Sequence, residues 1–401
     1  MESIISVGRL VAPACLAVVF ALFPQATRSA RAADAYEIHV LVALTGGAAF
    51  IGQNVQKNLQ ALEAVVNQAD GIRGQQLQFA FHDVESSPQT AVQVASQLLA
   101  SHPAVILVSG PVALCNATAP LMRKGPVLYC LSPAFHPLEP GSGFSATTSN
   151  VDNIAAVVRY YRLKGWTRIA VLTATDATGQ EADKGIDHVF ALPENSAVRI
   201  VERQHFNPTD MTVAAQIERI KSSGAQALVA WTTGAPTATV FKGMIQAGLD
   251  IPISPSTGNE DYAQLGQYVG FLPKQLLLPS ALFPEHDGLL TLDPRVEKVQ
   301  HAMYAILKEH GLKADNNTAA PWDPALIVVE AMRKLGPTAS ADQLRDYIVN
   351  LTDFAGINGI YDFKAYPERG LGPDDVTIVR YDSQAKSWVW MSKPGGVPLT
   401  P

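Results

Sequence analysis

The chain has 401 residues, of which 47% are hydrophobic and 16% charged, and a net charge of −6. That balance belongs to a folded chain of about two ordinary domains and excludes a disordered one. An acidic surplus with no long basic run argues against nucleic acid as a partner.

The N-terminus stands apart. Arg9 precedes an apolar stretch from Leu10 to Phe23, and "PQATRSARAADA" follows. A charged start, an apolar segment of about 14 residues and the small-residue pattern Ala30-Arg31-Ala32 read as an export leader. The stretch is short of the roughly 20 residues needed to span a bilayer. Residues 1–33 are therefore expected to be removed, with cleavage after Ala32 or Ala33. Cys15 lies inside the apolar stretch instead of closing it, which argues against lipid attachment. In the mature chain, Cys115 and Cys130 are expected as separate buried thiols, although an oxidising compartment permits a disulfide between them.

Strand and helix patterns then alternate. "EIHVLVAL" (37–44) reads as a buried strand, and residues 51–68 carry apolar side chains at helical spacing. Strands follow at 76–84, 104–110 and 126–132, with helices at 88–100 and 113–124 between them. The Pro-, Gly- and Ser-rich stretch 134–150 reads as a linker. Its Gly141-Ser142-Gly143 opens no helix, so a nucleotide-binding reading fails on context. Beyond it, strands at 167–175, 197–206, 225–233 and 251–257 alternate with helices at 179–192, 213–222, 235–247 and 261–269. A Pro-containing crossover (276–288), long helices at 294–310 and 321–335, and a hairpin about Asp382-Ser383 complete the chain. Repeated βα units imply parallel sheets covered on both faces.

An ordered set of stretches resembles the type I periplasmic solute-binding proteins, specifically the leucine/isoleucine/valine-binding group that serves ABC importers. They are residues 43–92, "VSGP" (108–111), "YCLSPA" (129–134), "DATGQ" (176–180), residues 247–265 and "FAGINGIYDF" (354–363). The resemblance implies an α/β protein of two Rossmann-like lobes with parallel sheets, joined by a three-strand hinge. It divides the chain into residues 34–146 with 284–366, and 147–283 with 367–401. It further implies a periplasmic monomer that closes over a small carboxylate and presents it to an inner-membrane ABC permease, with no cofactor or metal.

Candidate ligand contacts follow from the strand ends that such a cleft exposes. In the first lobe they are Ser109, Leu114 and Cys115, then Ser132, Ala134 and Phe135, with the loop Thr45–Phe50 closing over the ligand. In the second lobe they are Asp176, Thr178 and Gly179, then Thr233 and Gly234, then Asn259 and Glu260. Ser109 and Ser132 serve equally well as turn or cap residues, and Asp176 reads first as an N-cap.

The departures from the amino-acid binders direct the choice of ligand. Those proteins tend to follow "SPA" with Ala-Thr, where this chain has Phe135-His136; they carry Tyr where Thr178 stands, and Arg where Ser145 follows Phe144. Glu260 stands where the group places its ammonium-binding Glu, or else simply opens a helix. A lost hydroxyl grip with Phe135 gained favours a benzoate-like acid stacked on an aromatic wall. A branched-chain or other neutral amino acid is the competing ligand, and a ligand-sensing module the lesser alternative. Catalysis finds no support: there is no G-x-S-x-G, H-E-x-x-H or Walker sequence, and His301 and His310 are poorly spaced as metal ligands.

Overall fold

The computed structural model of the protein describes residues 35–285 and 288–400. The expected leader and its cleavage point lie outside the described residues. In the first half, Tyr36–Val42 (β1) leads to Ala49–Gln68 (α1), and Leu77–Asp83 (β2) to Pro88–Leu98 (α2). Val105–Ser109 (β3) leads to Val112–Met122 (α3), followed by Val127–Cys130 (β4) and the short Phe144–Ser145 (β5). These strands form one parallel sheet in the order β2-β1-β3-β4-β5.

Asn150–Leu163 (α4) opens the second half. Arg168–Ala174 (β6), Ala177–Phe190 (α5), Arg199–Phe206 (β7), Ala214–Ser222 (α6), Ala227–Trp231 (β8), Ala235–Ala247 (α7), Ile253–Ser254 (β9) and Tyr262–Gln267 (α8) follow. The second parallel sheet runs β7-β6-β8-β9. Leu277–Ser280 (β10) ends this half.

The chain then supplies Pro294–Glu309 (α9), Asn316–Ala319 (α10), Trp322–Leu335 (α11) and Ala341–Val349 (α12), and the short pair Phe354–Ala355 (β11) and Ile360–Tyr361 (β12). Side chains of α9, α11 and α12 pack on the first sheet. The hairpin Thr377–Asp382 (β13) and Ser387–Trp390 (β14) pairs antiparallel with β10, and its Tyr381, Trp388 and Trp390 enter the core of the second.

The near-continuous apolar runs of the strands are explained by burial on both faces. Val40, Val42 and Leu107 enter one core with α1 and α11, while Leu41, Ile106 and Val108 enter another with α2 and α3. In the second sheet, Ala170 and Leu172 alternate with Ile169 and Val171 in the same way. The first βα helix of each half also presses against the end of its strand through a glycine. A Cβ at Gly52 would collide with the Ala43 carbonyl, and one at Gly179 with the Ala174 carbonyl.

Three sequence expectations need correction. The linker 134–150 contributes a strand to the first sheet and starts α4, whose Ile154, Val157, Val158 and Tyr161 are buried at helical spacing. Helix α12 has no counterpart in the sequence reading, although Ser340 and Gln343 form a reciprocal capping box at its start. Cys115 and Cys130 are not separate thiols. They form a disulfide with Cα atoms 5.9 Å apart, which ties the first turn of α3 to the end of β4.

The segment at Ser145 and the segment at Glu368–Arg369 are bound to one another. The buried Arg369 donates to Ser145 Oγ (3.1 Å) and to the Phe135 carbonyl (3.2 Å), while the Ser145 hydroxyl donates to the Ser132 carbonyl (2.7 Å). Ser145 N–H donates to the Glu368 carbonyl at 2.8 Å. The loop after β4 is thereby fixed to both segments. It ends on His136, whose ring bridges Glu368 (2.9 Å) and Glu181 on α5 (3.3 Å).

Two outcomes follow. Replacing both cysteines by alanine releases a closed loop with a sequence separation of 15, and denaturant unfolding should show a loss of about 3 kcal/mol. For His136, hydrogen bonds to Glu181 and then Glu368 raise the pKa from 6.5 to about 9. A raised histidine contributes stability that is complete below the unfolded value and is lost as pH rises through the folded one. Melting temperatures measured from pH 6.5 to 9.5 should therefore fall less in His136→Gln than in the wild-type chain.

Candidate functional site

All β→α turns of a parallel sheet emerge at the C-terminal ends of its strands, and this is where α/β proteins hold ligands. The ends of the two sheets face each other across a cavity of about 380 Å³. From the first half it is lined by Gly47, Ala48, Phe50 and Ile51 after β1, Ser86 after β2, Gly110–Val112 after β3, and Leu131–Ala134 after β4. From the second it is lined by Asp176 and Thr178 after β6, Thr233, Gly234 and Pro236 after β8, and Ser256 and Gly258 after β9. Asn150, at the start of α4, and Asn316 and Asn317 of α10 complete the wall. A wider groove of about 880 Å³ includes His102–Pro103 and Gly125–Pro126, which precede β3 and β4, so it lies at the wrong ends of the strands.

Among the described residues, three helices begin at this cavity without a side-chain cap. The N-cap positions of α1, α3 and α7 are Ala48, Pro111 and Gly234, none of which offers a capping side chain. The positive ends of three helix dipoles are thus left facing the cavity. Helix α5 differs, because Asp176 Oδ1 accepts from Gly179 N–H at 3.0 Å. Gly234 adopts φ +85°, which favours glycine, and a Cβ there would meet Phe50 Cε1 at 3.3 Å. The Phe50 ring of the first half therefore lies directly against the second. Asn54 of α1 makes another direct link, donating to Asp261 Oδ2 at 2.6 Å.

Of the residues named from sequence, Ser132, Ala134, Asp176, Thr178, Thr233 and Gly234 line the cavity, as do Gly47, Ala48 and Phe50 of the Thr45–Phe50 loop. The others sit behind it. Ser109 and Leu114 are buried, with Leu114 packed where a side chain at Gly110 would go. Cys115 is committed to the disulfide. Phe135 is 1% exposed within the core on the α2–α3 face of the first sheet, so it supplies no stacking wall. Gly179 is buried against Ala174.

Asn259 is a buried strut between two cavity loops. Its Oδ1 accepts from Gly234 N–H (3.1 Å) and Thr237 Oγ1 (2.8 Å), and its Nδ2 donates to the Thr232 carbonyl (2.7 Å). Glu260 is also fully buried and accepts from Ser280 Oγ at 2.9 Å. Burial pushes its carboxyl well above the ordinary range, and it does not reach the cavity as an ammonium partner. The sequence reading missed Ser86, Asn150, Ser256, Asn316 and Asn317. Ser86 and Ser256 follow strands by the same rule that found Ser132, whereas nothing local marks α10 as part of the wall. Among the described residues, no cluster of three His, Cys, Asp or Glu could hold a metal ion, and no helix is long and apolar enough to cross a membrane.

Comparisons with known proteins agree with this fold. The chain is 24% identical to Leu/Ile/Val-binding protein homolog 3 of Brucella melitensis over 237 residues, which is 57% of this chain and 63% of that relative. The match thus spans a little under two thirds of the relative's length. The fatty acid ABC transporter substrate-binding protein of Thermomonospora curvata superposes with a TM-score of 0.76 at 16% identity, covering 91% of this chain and 93% of that one. The branched-chain amino acid transporter substrate binding protein LivJ of Streptococcus pneumoniae, in complex with isoleucine, gives a TM-score of 0.71 at 16% identity over 89% of this chain and 100% of that one. These are solute-binding proteins, not enzymes, and their fold is the pair of α/β lobes described above. The periplasmic binding protein family model matches residues 36–386, and the chain belongs to that family.

Proposed function

We propose that this protein is the exported, monomeric substrate-binding component of an ABC importer, working in the periplasm and delivering a small carboxylate solute to an inner-membrane permease. The reading rests on one observation above all: three helix N-termini without side-chain caps converge on the cavity between the sheets. Backbone N–H groups and the positive ends of helix dipoles suit a carboxylate. The two transport proteins compared above are described with a fatty acid and with isoleucine, each of which joins a carboxylate to an apolar body.

An aromatic, benzoate-like acid is the favoured ligand. Phe50, not Phe135, supplies the flat apolar wall, and Glu260 is sealed away from any ammonium group. A branched-chain or other neutral amino acid is the second reading, supported by Asp176, the one acidic side chain among the described lining residues. Lobe closure about the crossings would bury either ligand and change the surface offered to the permease.

A thermal-shift panel decides between them, because a ligand that binds only the native state raises the melting temperature. It compares benzoate, 4-hydroxybenzoate and phenylglyoxylate with leucine, valine and phenylalanine. Shifts confined to the aromatic acids are expected, with Phe50→Ala weakening their binding roughly tenfold through loss of the ring contact. Shifts confined to the amino acids would make Asp176 the ammonium partner and overturn the aromatic preference.

A further inference from the structure

Asn150 combines three properties that no other described residue of the cavity wall shares. It lines the cavity, it is only 1% exposed, and its side-chain Oδ1 has no hydrogen-bond partner among the described residues. Its Nδ2 is already engaged, donating to Oε2 of Glu181 on α5. The direction of that bond fixes the amide. The Glu181 carboxylate is ion-paired to His136 through its other oxygen and can only accept, so the NH₂ group of Asn150 must face it. The carbonyl oxygen is then held on the opposite side, as an acceptor that cannot be exchanged for a donor by turning the amide over.

A buried acceptor left unmatched is costly, and a site built around one rejects a ligand that offers it nothing. We propose that Asn150, oriented by Glu181, is a specificity-determining residue that selects solutes carrying a hydrogen-bond donor in addition to their carboxylate. This inference rests on the solute-capture reading and narrows it. Within the aromatic acids it favours hydroxybenzoates over benzoate; within the amino acids the donor would be the ammonium group. The shared chemistry is a small carboxylate with a second, donating polar group. Glu181 acts through Asn150 and is a positioning residue.

The test is calorimetric titration of the whole mature chain with matched pairs of probes: benzoate against 3- and 4-hydroxybenzoate, and 4-methylpentanoate against leucine. In the wild-type protein, a donor-bearing member should bind at least about tenfold more tightly than its donor-free partner. The pair that shows this ratio identifies the donor as phenolic hydroxyl or ammonium. Asn150→Ala should bring the ratio to within about twofold by weakening the donor-bearing ligand alone. Glu181→Gln should also reduce it, because a Gln amide can donate and lets the Asn150 amide reverse. Melting temperatures report whether each variant is folded, and if Asn150→Ala is not, Glu181→Gln decides. Equal affinities within both pairs, or a ratio unchanged in the variants, would overturn the role of Asn150 and leave the solute reading intact. Binding of none of the probes would instead overturn the solute reading, and this selectivity with it.

Discussion

The site depends on a constraint of parallel sheets. Every strand points the same way, so every turn into a helix emerges on one edge, and the helices begin there with unpaired N–H groups. Two such edges face each other in this protein. The wall of the cavity between them is more apolar than polar, and no Lys or Arg among the described residues lines it. The positive partial charge at the cavity is that of helix ends whose N-cap residues are Ala48, Pro111 and Gly234. Such N-caps forgo a stabilising side-chain bond, typically worth about 1 kcal/mol, at the places where a ligand would supply it.

The loop after β4 shows how that edge is made rigid. The disulfide fixes its start, Ser145 and Arg369 hold its carbonyls, and His136 at its end reaches across to α5. Ser132 and Ala134 are therefore presented by a segment that is bound covalently on one side and ionically on the other. The same Glu181 that receives His136 also orients Asn150. The cavity wall and the segment at Glu368–Arg369 thus share one side-chain network, in which Glu181 of α5 touches both His136 and Asn150.

Much of this was legible in the sequence. Strand runs, helical spacing and the turn residues of the βα units located most elements within a few residues, because burial on both faces leaves an unbroken apolar signature in each strand. The strand-end rule found Ser132, Asp176, Thr178 and Thr233. Helix α4 was equally legible, with Ile154, Val157, Val158 and Tyr161 in register, but its N-terminus was absorbed into the Pro- and Gly-rich stretch before it. The capping box of α12 was also written in Ser340 and Gln343.

What the sequence determined by itself is the periodic part: which segments are strands and helices, that both faces of each sheet are covered, and which turns emerge at the binding edge. These follow from local spacing. Only the tertiary structure decided which side of a turn each residue occupies. Phe135 and Glu260 stand at the right places in the chain yet point into the interior, while Phe50 reaches the opposite half. The Cys115–Cys130 bond, the Arg369 contacts and the Asn150–Glu181 pair join residues 15 to 234 positions apart. Spacing along a chain carries no record of such contacts, because they are fixed by how separate elements pack.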